Sequence, residues 1–142
     1  MKIDFYILAT NKIEEAHHFT CELVEKLYTE KASSIFLHTE SQEQAEHFDL
    51  LLWTYRDDSF LPHAIYTKTM ENMPPILISH GETPPSHASV LFNLHQDIPP
   101  FFQAFNHIIE IVFTNTDVQQ LARHRYKQYR DHGLEINTIK LS

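Results

Sequence analysis

Glycine and cysteine are scarce in this chain. Its 142 residues include two glycines, Gly81 and Gly133, and one cysteine, Cys21. A loop that cradles phosphate groups needs glycines so that the backbone can approach the phosphates, and neither a Walker A loop nor a GxGxxG turn can be written in this sequence. A single cysteine excludes a disulfide framework and a cysteine-rich metal site, and it fits a reducing compartment. We therefore expect a cytoplasmic protein without either type of phosphate-binding loop.

Long apolar runs are also lacking. The amino-terminal stretch MKIDFYILATNKIEE holds an apolar run of about four residues between charged ones, which is too short for a signal peptide or a membrane span. A hydrophobic content of 42% over 142 residues is enough to bury one sizeable core. The sequence predicts one soluble domain, residues 1–142, with no membrane association.

Motifs of catalysis and metal binding are missing as well. The chain has no GxSxG elbow, and Cys21 falls in a helical pattern without an activating neighbour, which is typical of a buried, inert thiol. Eleven histidines are present, but there is no HExxH motif, and the adjacent His17 and His18 point away from each other on a helix. We predict no catalytic residue, no metal and no cofactor. A histidine-using, metal-dependent hydrolase is the alternative.

The chain alternates β-rich runs with helical patterns. IDFYIL (3–8) and SIFLHT (34–39) flank a helical pattern from Ala16 to Tyr28, and Ser41 and Gln44 have capping-box spacing before a helix that ends near Trp53. FFQAF is predicted as a brief helix. Later strand-like runs are RDDSFLPHAIYT, PPILIS, VLFNL, HIIEIVF and LEINTIKL. The pattern predicts an α/β fold, a three-layer sandwich with a mostly parallel sheet and helices on both faces.

Positive charge is concentrated near the end of the chain. Residues 1–118 carry 6 Lys and Arg against 17 Asp and Glu, a net charge of −11, whereas residues 119–142 carry 5 against 2, a net charge of +3. Thr116 and Gln119 have capping-box spacing, and Gly133 is placed to end a helix, so we predict a helix over about 117–132. One stripe of this helix, with spacing i, i+3, i+4, i+7, contains Arg123, Tyr126, Lys127 and Arg130.

This charge distribution narrows the class of partner. An acidic body repels bulk nucleic acid at long range, whereas a small basic patch can bind a short acidic peptide. The stripe also has two other interpretations. Its cations suit the end of a solvated helix, where they favour the helix dipole, and cations with tyrosine suit direct binding of single-stranded nucleic acid.

Two segments of the sequence carry distinctive patterns. LLWTYRDDSFLPH (51–63) has the pattern L-W-x₅-S-F-x-P-H, and LARHRYKQYRDHGLEINT (121–138) has the pattern L-A-R-x-R-Y-K-x-Y-R-x-x-G-x-x-x-N-T. In both segments the sequence resembles the chi subunits of bacterial DNA polymerase III. The resemblance runs the full length, although residues 64–100 match only in pattern. It implies a noncatalytic accessory subunit of the clamp loader in DNA replication, which binds the psi subunit and the acidic, Phe-terminated tail of single-stranded DNA-binding protein. Association with single-stranded DNA is then indirect.

The resemblance assigns the tail contact to the basic helix. It implies that Arg123 and Lys127 bind the carboxylate and acidic side chains of the tail, that Tyr126 forms a pocket wall, and that Arg130 adds a supporting charge. Val112, just before the helix, lines the pocket.

One position departs from the family pattern. The pattern has a lysine where this chain has Gln119, one turn ahead of Arg123. We expect the missing cation to weaken or to shift the contact with the tail.

The resemblance assigns the psi interface to the tryptophan-containing segment. The implied interface residues are Trp53, Phe60, Leu61 and Pro62, with Phe60 as the anchor, because a large apolar ring in a polar loop is costly unless it is covered. The alternative for Trp53 and Phe60 is that each plugs into the core of its own chain.

Overall fold

The computed structural model describes residues 1–30, 34–58, 60–85 and 89–141. Ser59, part of the S-F motif, lies outside these ranges. Within them the chain forms seven strands, three α-helices and one 3₁₀ turn, Phe102–Ala104. The elements are β1 (Lys2–Leu8), α1 (Ile13–Thr29), β2 (Ile35–His38), α2 (Gln42–Thr54), β3 (His63–Ile65), β4 (Ile76–Ser79), β5 (Val90–Asn93), β6 (His107–Val112), α3 (Thr116–Asp131) and β7 (Ile136–Leu141).

The strands form one sheet in the order β3-β4-β2-β5-β6-β1-β7. Each strand pair that the described residues form is parallel. The predicted α/β sandwich is therefore confirmed, and its sheet is more regular than "mostly parallel". The two ends of the order, β3 and β7, are the two edges of the sheet.

Helices cover both faces of the sheet, as the sequence predicts. Cys21 and Val24 of α1 and Phe48 and Leu52 of α2 pack in one apolar cluster with side chains from the central strands. The opposite cluster joins the sheet to the 3₁₀ turn and to α3, which contributes Ala122 and Tyr129. Strands buried on both faces explain why β2, β4 and β5 read as continuous apolar runs.

The predicted cap of α2 is confirmed. The Ser41 hydroxyl accepts a hydrogen bond from the backbone N–H of Gln44 at 3.1 Å, and the Gln44 side-chain oxygen accepts one from the backbone N–H of Glu40 at 2.8 Å. The first bond satisfies a donor of the first helical turn, and the second satisfies the N–H of the residue that precedes the cap.

The predicted start of α3 is wrong by one residue. Asn115, not Thr116, is the cap, and its side-chain oxygen accepts from the backbone N–H of Val118 at 3.1 Å. The predicted end is confirmed, because Gly133 has φ = 76° and Leu134 N–H donates back to the Tyr129 carbonyl at 3.4 Å. A left-handed residue after a helix favours glycine, which carries no Cβ to clash.

Helix α3 crosses the β6-β1-β7 end of the sheet. It begins four residues after β6 ends and finishes before β7 begins, so it runs back against the direction of these parallel strands. The strand register places Val112, Ile7 and Lys140 in one row near the carboxyl ends of the three strands, with Phe5 and Thr138 two residues lower. This arrangement defines the floor on which the candidate site is built.

Two further observations concern the single cysteine and the length of the helices. Cys21 is fully buried, and burial raises the pKa of its thiol to about 12, so almost none of it is thiolate at neutral pH. In the part of the chain that the structure describes, no helix combines the length and the apolar character needed to cross a bilayer.

Candidate functional site

A groove of about 440 Å³ opens between α3 and the β6-β1-β7 end of the sheet. Alternate residues of the strands form its floor, because side chains two apart on a strand point to the same face. Three successive turns of α3 form its wall. The lining residues are Phe5, Ile7, Val112, Gln119, Ala122, Arg123, Tyr126, Thr138 and Lys140.

The floor of this groove is apolar and aromatic. Val112 is buried, and the Phe5 ring meets the edge of Tyr126 with 5.4 Å between ring centroids and an interplanar angle of 62°. Phe5 also contacts Tyr129 edge-on at 6.0 Å. Such edge-to-face pairs hold the rings in fixed orientations and leave half-buried Tyr126 as an aromatic surface on the groove.

Two cations stand at the groove, one on each side. Arg123 projects from α3 and Lys140 from β7, and both are exposed. Across the described ranges, no ion pair involves either side chain, and no Asp or Glu lines the groove. An apolar floor beside unpaired cations suits a ligand that is both aromatic and anionic.

The structure brings together four of the six residues predicted for tail binding. Val112, Gln119, Arg123 and Tyr126 line one groove, whereas Lys127 and Arg130 are exposed on α3 but do not line it. The two outer cations lie toward the carboxyl end of the helix, where they add positive charge beside the groove. The prediction that they contact a ligand stays a prediction.

On the strand side of the groove, sequence reasoning found Val112 and missed the other four residues. Phe5, Ile7, Thr138 and Lys140 line it, and none of them was predicted as a site residue. The alternation of INTIKL places Thr138 and Lys140 on one face of a strand, which was the available signal. Knowing that β7 lies beside β1 was also necessary, and strand order is not written in the sequence.

A buried polar network fixes α3 on the sheet beneath the groove. Arg125 Nε donates to Glu110 Oε1 at 3.0 Å, and Arg125 Nη1 donates to the Gln96 carbonyl at 2.9 Å. Glu110 Oε2 also accepts from the Tyr129 hydroxyl and from Asn93 Nδ2, each at 2.8 Å. Burial raises the pKa of the fully buried Glu110 carboxyl, against the opposing effect of the Arg125 charge. With Arg125 and Tyr129 directed inward, Arg123 and Tyr126 are left facing the groove.

A second candidate surface lies where α2 meets β3. Phe60 is 73% exposed and Trp53 44% exposed, with 5.3 Å between their ring centroids. Leu50, one turn before Trp53, is 63% exposed. Neither ring is inserted into the core. The structure therefore does not support the alternative interpretation, in which Trp53 and Phe60 pack within the core of their own chain.

The other two residues of this segment differ in exposure. Leu61 is 2% exposed and belongs to the apolar core beneath α2, and Pro62 is half-buried. The placement of Leu61 does not fit direct contact with a partner, because its side chain already packs within its own chain. His63 helps to hold this segment, with its ring nitrogens 2.6 Å from the Leu61 carbonyl and 2.8 Å from the Asp49 carbonyl.

Two close contacts between histidine rings occur in the described part of the chain. His17 Nδ1 lies 3.1 Å from His47 Nε2, and His38 stacks on His95 with 5.2 Å between ring centroids. Over the described ranges, no group of three or more His, Cys, Asp or Glu is arranged to hold a metal ion. A metal-dependent hydrolase therefore gains no support from the histidine count.

Comparison with known proteins assigns the family. A family profile described as "DNA polymerase III chi subunit, HolC" matches residues 1–137. DNA polymerase III subunit chi of Pseudomonas aeruginosa is 27% identical over 140 residues, covering 99% of this chain and 96% of the relative. The subunit of the same name from Haemophilus influenzae is 31% identical, covering 94% and 93%.

A solved structure supports the fold alone. The C-terminal domain of the DEAD-box protein Dbp5 superposes with a TM-score of 0.66 at 12% identity, covering 98% of this chain and 90% of that one. The match of the family profile to residues 1–137, together with the bacterial relatives, carries the assignment. The chain therefore belongs to the chi subunits of DNA polymerase III, a family of bacterial DNA replication proteins.

Proposed function

We propose that the chain is a noncatalytic adaptor that joins the clamp loader to single-stranded DNA-binding protein. In this proposal the groove binds the acidic, Phe-terminated C-terminal tail of that protein, and the surface around Phe60 and Trp53 binds the psi subunit. The observation that carries the proposal is one groove that combines an aromatic floor with two cations, neither of which joins an ion pair among the described residues.

The chemistry of the groove matches the two features of such a tail. Phe5, Val112 and Tyr126 offer an apolar surface to a terminal phenylalanine ring. Arg123 offers donors to the free carboxylate, and charge-assisted hydrogen bonds are the stronger class in proteins. Lys127 and Arg130 increase the local positive potential, which attracts an acidic chain from a distance despite the net charge of −8 on the whole protein.

The psi surface is supported by the exposure of its aromatic rings. A phenylalanine with 73% of its surface in water beside an exposed tryptophan is the kind of feature that a partner covers. Buried aromatic anchors account for much of the binding energy of protein interfaces. Phe60 is the proposed anchor, Trp53 its neighbour, and Pro62 holds the backbone of the segment, with Leu61 supporting it from the core.

The sheet separates the two surfaces. The groove lies at the β7 edge, whereas Phe60 and Trp53 lie beside α2 and β3 at the other edge. Two partners can therefore bind at the same time without competing for area, which is what an adaptor needs. We place both surfaces on one domain of residues 1–142, acting in the cytoplasm, where a bacterium replicates its chromosome.

The test of the groove is a titration with a fluorescent acidic peptide that ends in Pro-Phe. We expect binding on the micromolar scale that weakens with added salt and that is mostly lost in Arg123→Ala. A desolvated cation contact of about 1–3 kcal/mol predicts a loss of roughly 5- to 150-fold. Arg130→Ala, on the same helix but outside the groove lining, is the matched control and should lose a few-fold at most. Equal affinities of wild type and Arg123→Ala would overturn the tail-binding proposal.

A gel shift distinguishes direct binding of single-stranded DNA from binding through single-stranded DNA-binding protein. Bare oligonucleotide should not shift with the protein alone, and a supershift should appear when single-stranded DNA-binding protein coats it. A strong shift of bare oligonucleotide that is lost in Arg123→Ala would favour a nucleic-acid site in the same groove.

A further inference from the structure

We propose that Lys140 is the second cation that binds the acidic ligand, so that the groove holds its ligand between a helix charge and a strand charge. The inference rests on the proposed function, because it specifies how the same groove recognises an acidic peptide. It adds a residue on β7, outside the basic helix.

The strand register locates Lys140 relative to the helix. Lys140 pairs with Ile7, which in turn pairs with Val112, so the three residues form one row at the carboxyl ends of their strands. Helix α3 runs opposite to the strands, and its first turn therefore lies at the level of this row. Gln119, in that turn, lines the groove from the helix, and Lys140 lines it from the strand side.

Along the helix wall, only one cation lines the groove. The helix residues of the lining are Gln119, Ala122, Arg123 and Tyr126, of which Arg123 alone is charged. Gln119 is uncharged at the end of the groove where the row of Lys140 lies. A ligand with several carboxylates would meet a neutral wall there unless the facing strand supplies the charge.

The surroundings of Lys140 leave its ammonium group available. Lys140 is exposed and, across the described ranges, joins no ion pair, and no acidic residue lines the groove to neutralise it. The buried carboxylate of Glu110, beneath α3, is already paired with Arg125 at 3.0 Å. Within residues 1–30, 34–58, 60–85 and 89–141, this lysine has no ion-pair partner to give up before it binds an anion.

The experiment compares single variants in the same peptide titration. Lys140→Ala should weaken binding of the acidic peptide ending in Pro-Phe by about tenfold at low salt, the loss typical of a hydrogen bond to a charged group. Lys26→Ala removes the same charge from an exposed position on α1 and should change affinity by less than about twofold. Circular dichroism and thermal unfolding of each variant confirm that the fold is intact.

A relocated charge makes the test specific. In the double variant Gln119→Lys/Lys140→Ala, the positive charge moves from β7 to the facing turn of α3. Affinity should then return to within about threefold of wild type. Lys26→Ala combined with Gln119→Lys serves as the background for this comparison.

The outcomes separate the inference from the proposed function. If Arg123→Ala loses binding while Lys140→Ala behaves like Lys26→Ala, the role of Lys140 is wrong and the groove assignment stands. If neither variant weakens binding, both fail. Loss in both variants, with recovery in the double variant, supports both.

Discussion

Arg125 and Glu110 form an ion pair within the layer between α3 and the sheet, with 3.0 Å between Arg125 Nε and Glu110 Oε1. The Arg125 side chain is 7% exposed and the Glu110 side chain is fully buried. Tyr129 and Asn93 complete the hydrogen bonding of the carboxylate. The pair connects the middle of α3 to the middle of the sheet, and so it sets which face of the helix meets the groove.

Removal of Arg125 should destabilise the protein strongly. Arg125→Met leaves the Glu110 carboxylate buried without its cation, and such changes cost about 3–5 kcal/mol. Urea unfolding measures the loss. Arg130→Met, an exposed position on the same helix, is the control and should change the free energy of unfolding by less than about 0.5 kcal/mol.

A second variant separates the charge from the packing. Glu110→Gln combined with Arg125→Met removes both charges but keeps a side-chain oxygen that can accept from Tyr129 and Asn93. We expect it to recover part of the lost stability, because no charge is then buried without its partner. Equal stability of Arg125→Met and Arg130→Met would contradict the structural role of the pair.

Phe60 and its neighbour Leu61 should respond in opposite ways to truncation. Phe60→Ala removes a ring that is 73% exposed, so we expect little change in stability and loss of most psi binding in a co-purification. Leu61→Ala empties a buried site and should cost about 2–5 kcal/mol in urea unfolding. Ile13→Ala, at an exposed apolar residue of α1, is the control for psi binding. Retention of psi by Phe60→Ala would remove the anchor assignment.

His38 should make the protein less stable in mild acid. The residue is 8% exposed, and burial, with the nearby His95 and His80, lowers its pKa to about 4. The unfolded chain binds the proton near pH 6.5 and the folded chain does not, so stability is full above that pH and falls as the pH drops from 6.5 towards 4. Between pH 7.5 and 5 this single group contributes a loss of up to about 2 kcal/mol.

The slope of stability against pH measures this effect. His38→Leu should make the curve less steep between pH 7.5 and 5, whatever it does to stability at neutral pH. His17, whose pKa is also lowered to about 4 by burial and by His47, should account for acid sensitivity that remains. Gln128→Leu, at an exposed position on α3, introduces the same side chain without removing a titratable group and should leave the slope unchanged. An unaltered slope in His38→Leu would show that other groups control the acid sensitivity.

The sequence alone was sufficient for the class of fold and for much of the basic helix. Apolar runs, helical spacing and the capping residue Ser41 depend on interactions within a few positions, so they can be read locally. Gly133 was predicted to end α3 for the same reason. The start of α3 was misplaced by one residue because Asn115 and Thr116 are both good caps, and local preference does not decide between them.

The tertiary structure decided which residues form the site. Strand order places β7 beside β1, and this brings Lys140 and Thr138 to the helix that carries Arg123, although they are far from β1 in sequence. The tertiary structure also places Tyr126 of the predicted stripe in the groove and leaves Lys127 outside it. Leu61 was predicted on a surface, but the structure buries it. Burial depends on what packs against a residue from distant parts of the chain. Local patterns determined the elements of this protein, and the long-range register of a parallel sheet determined its groove.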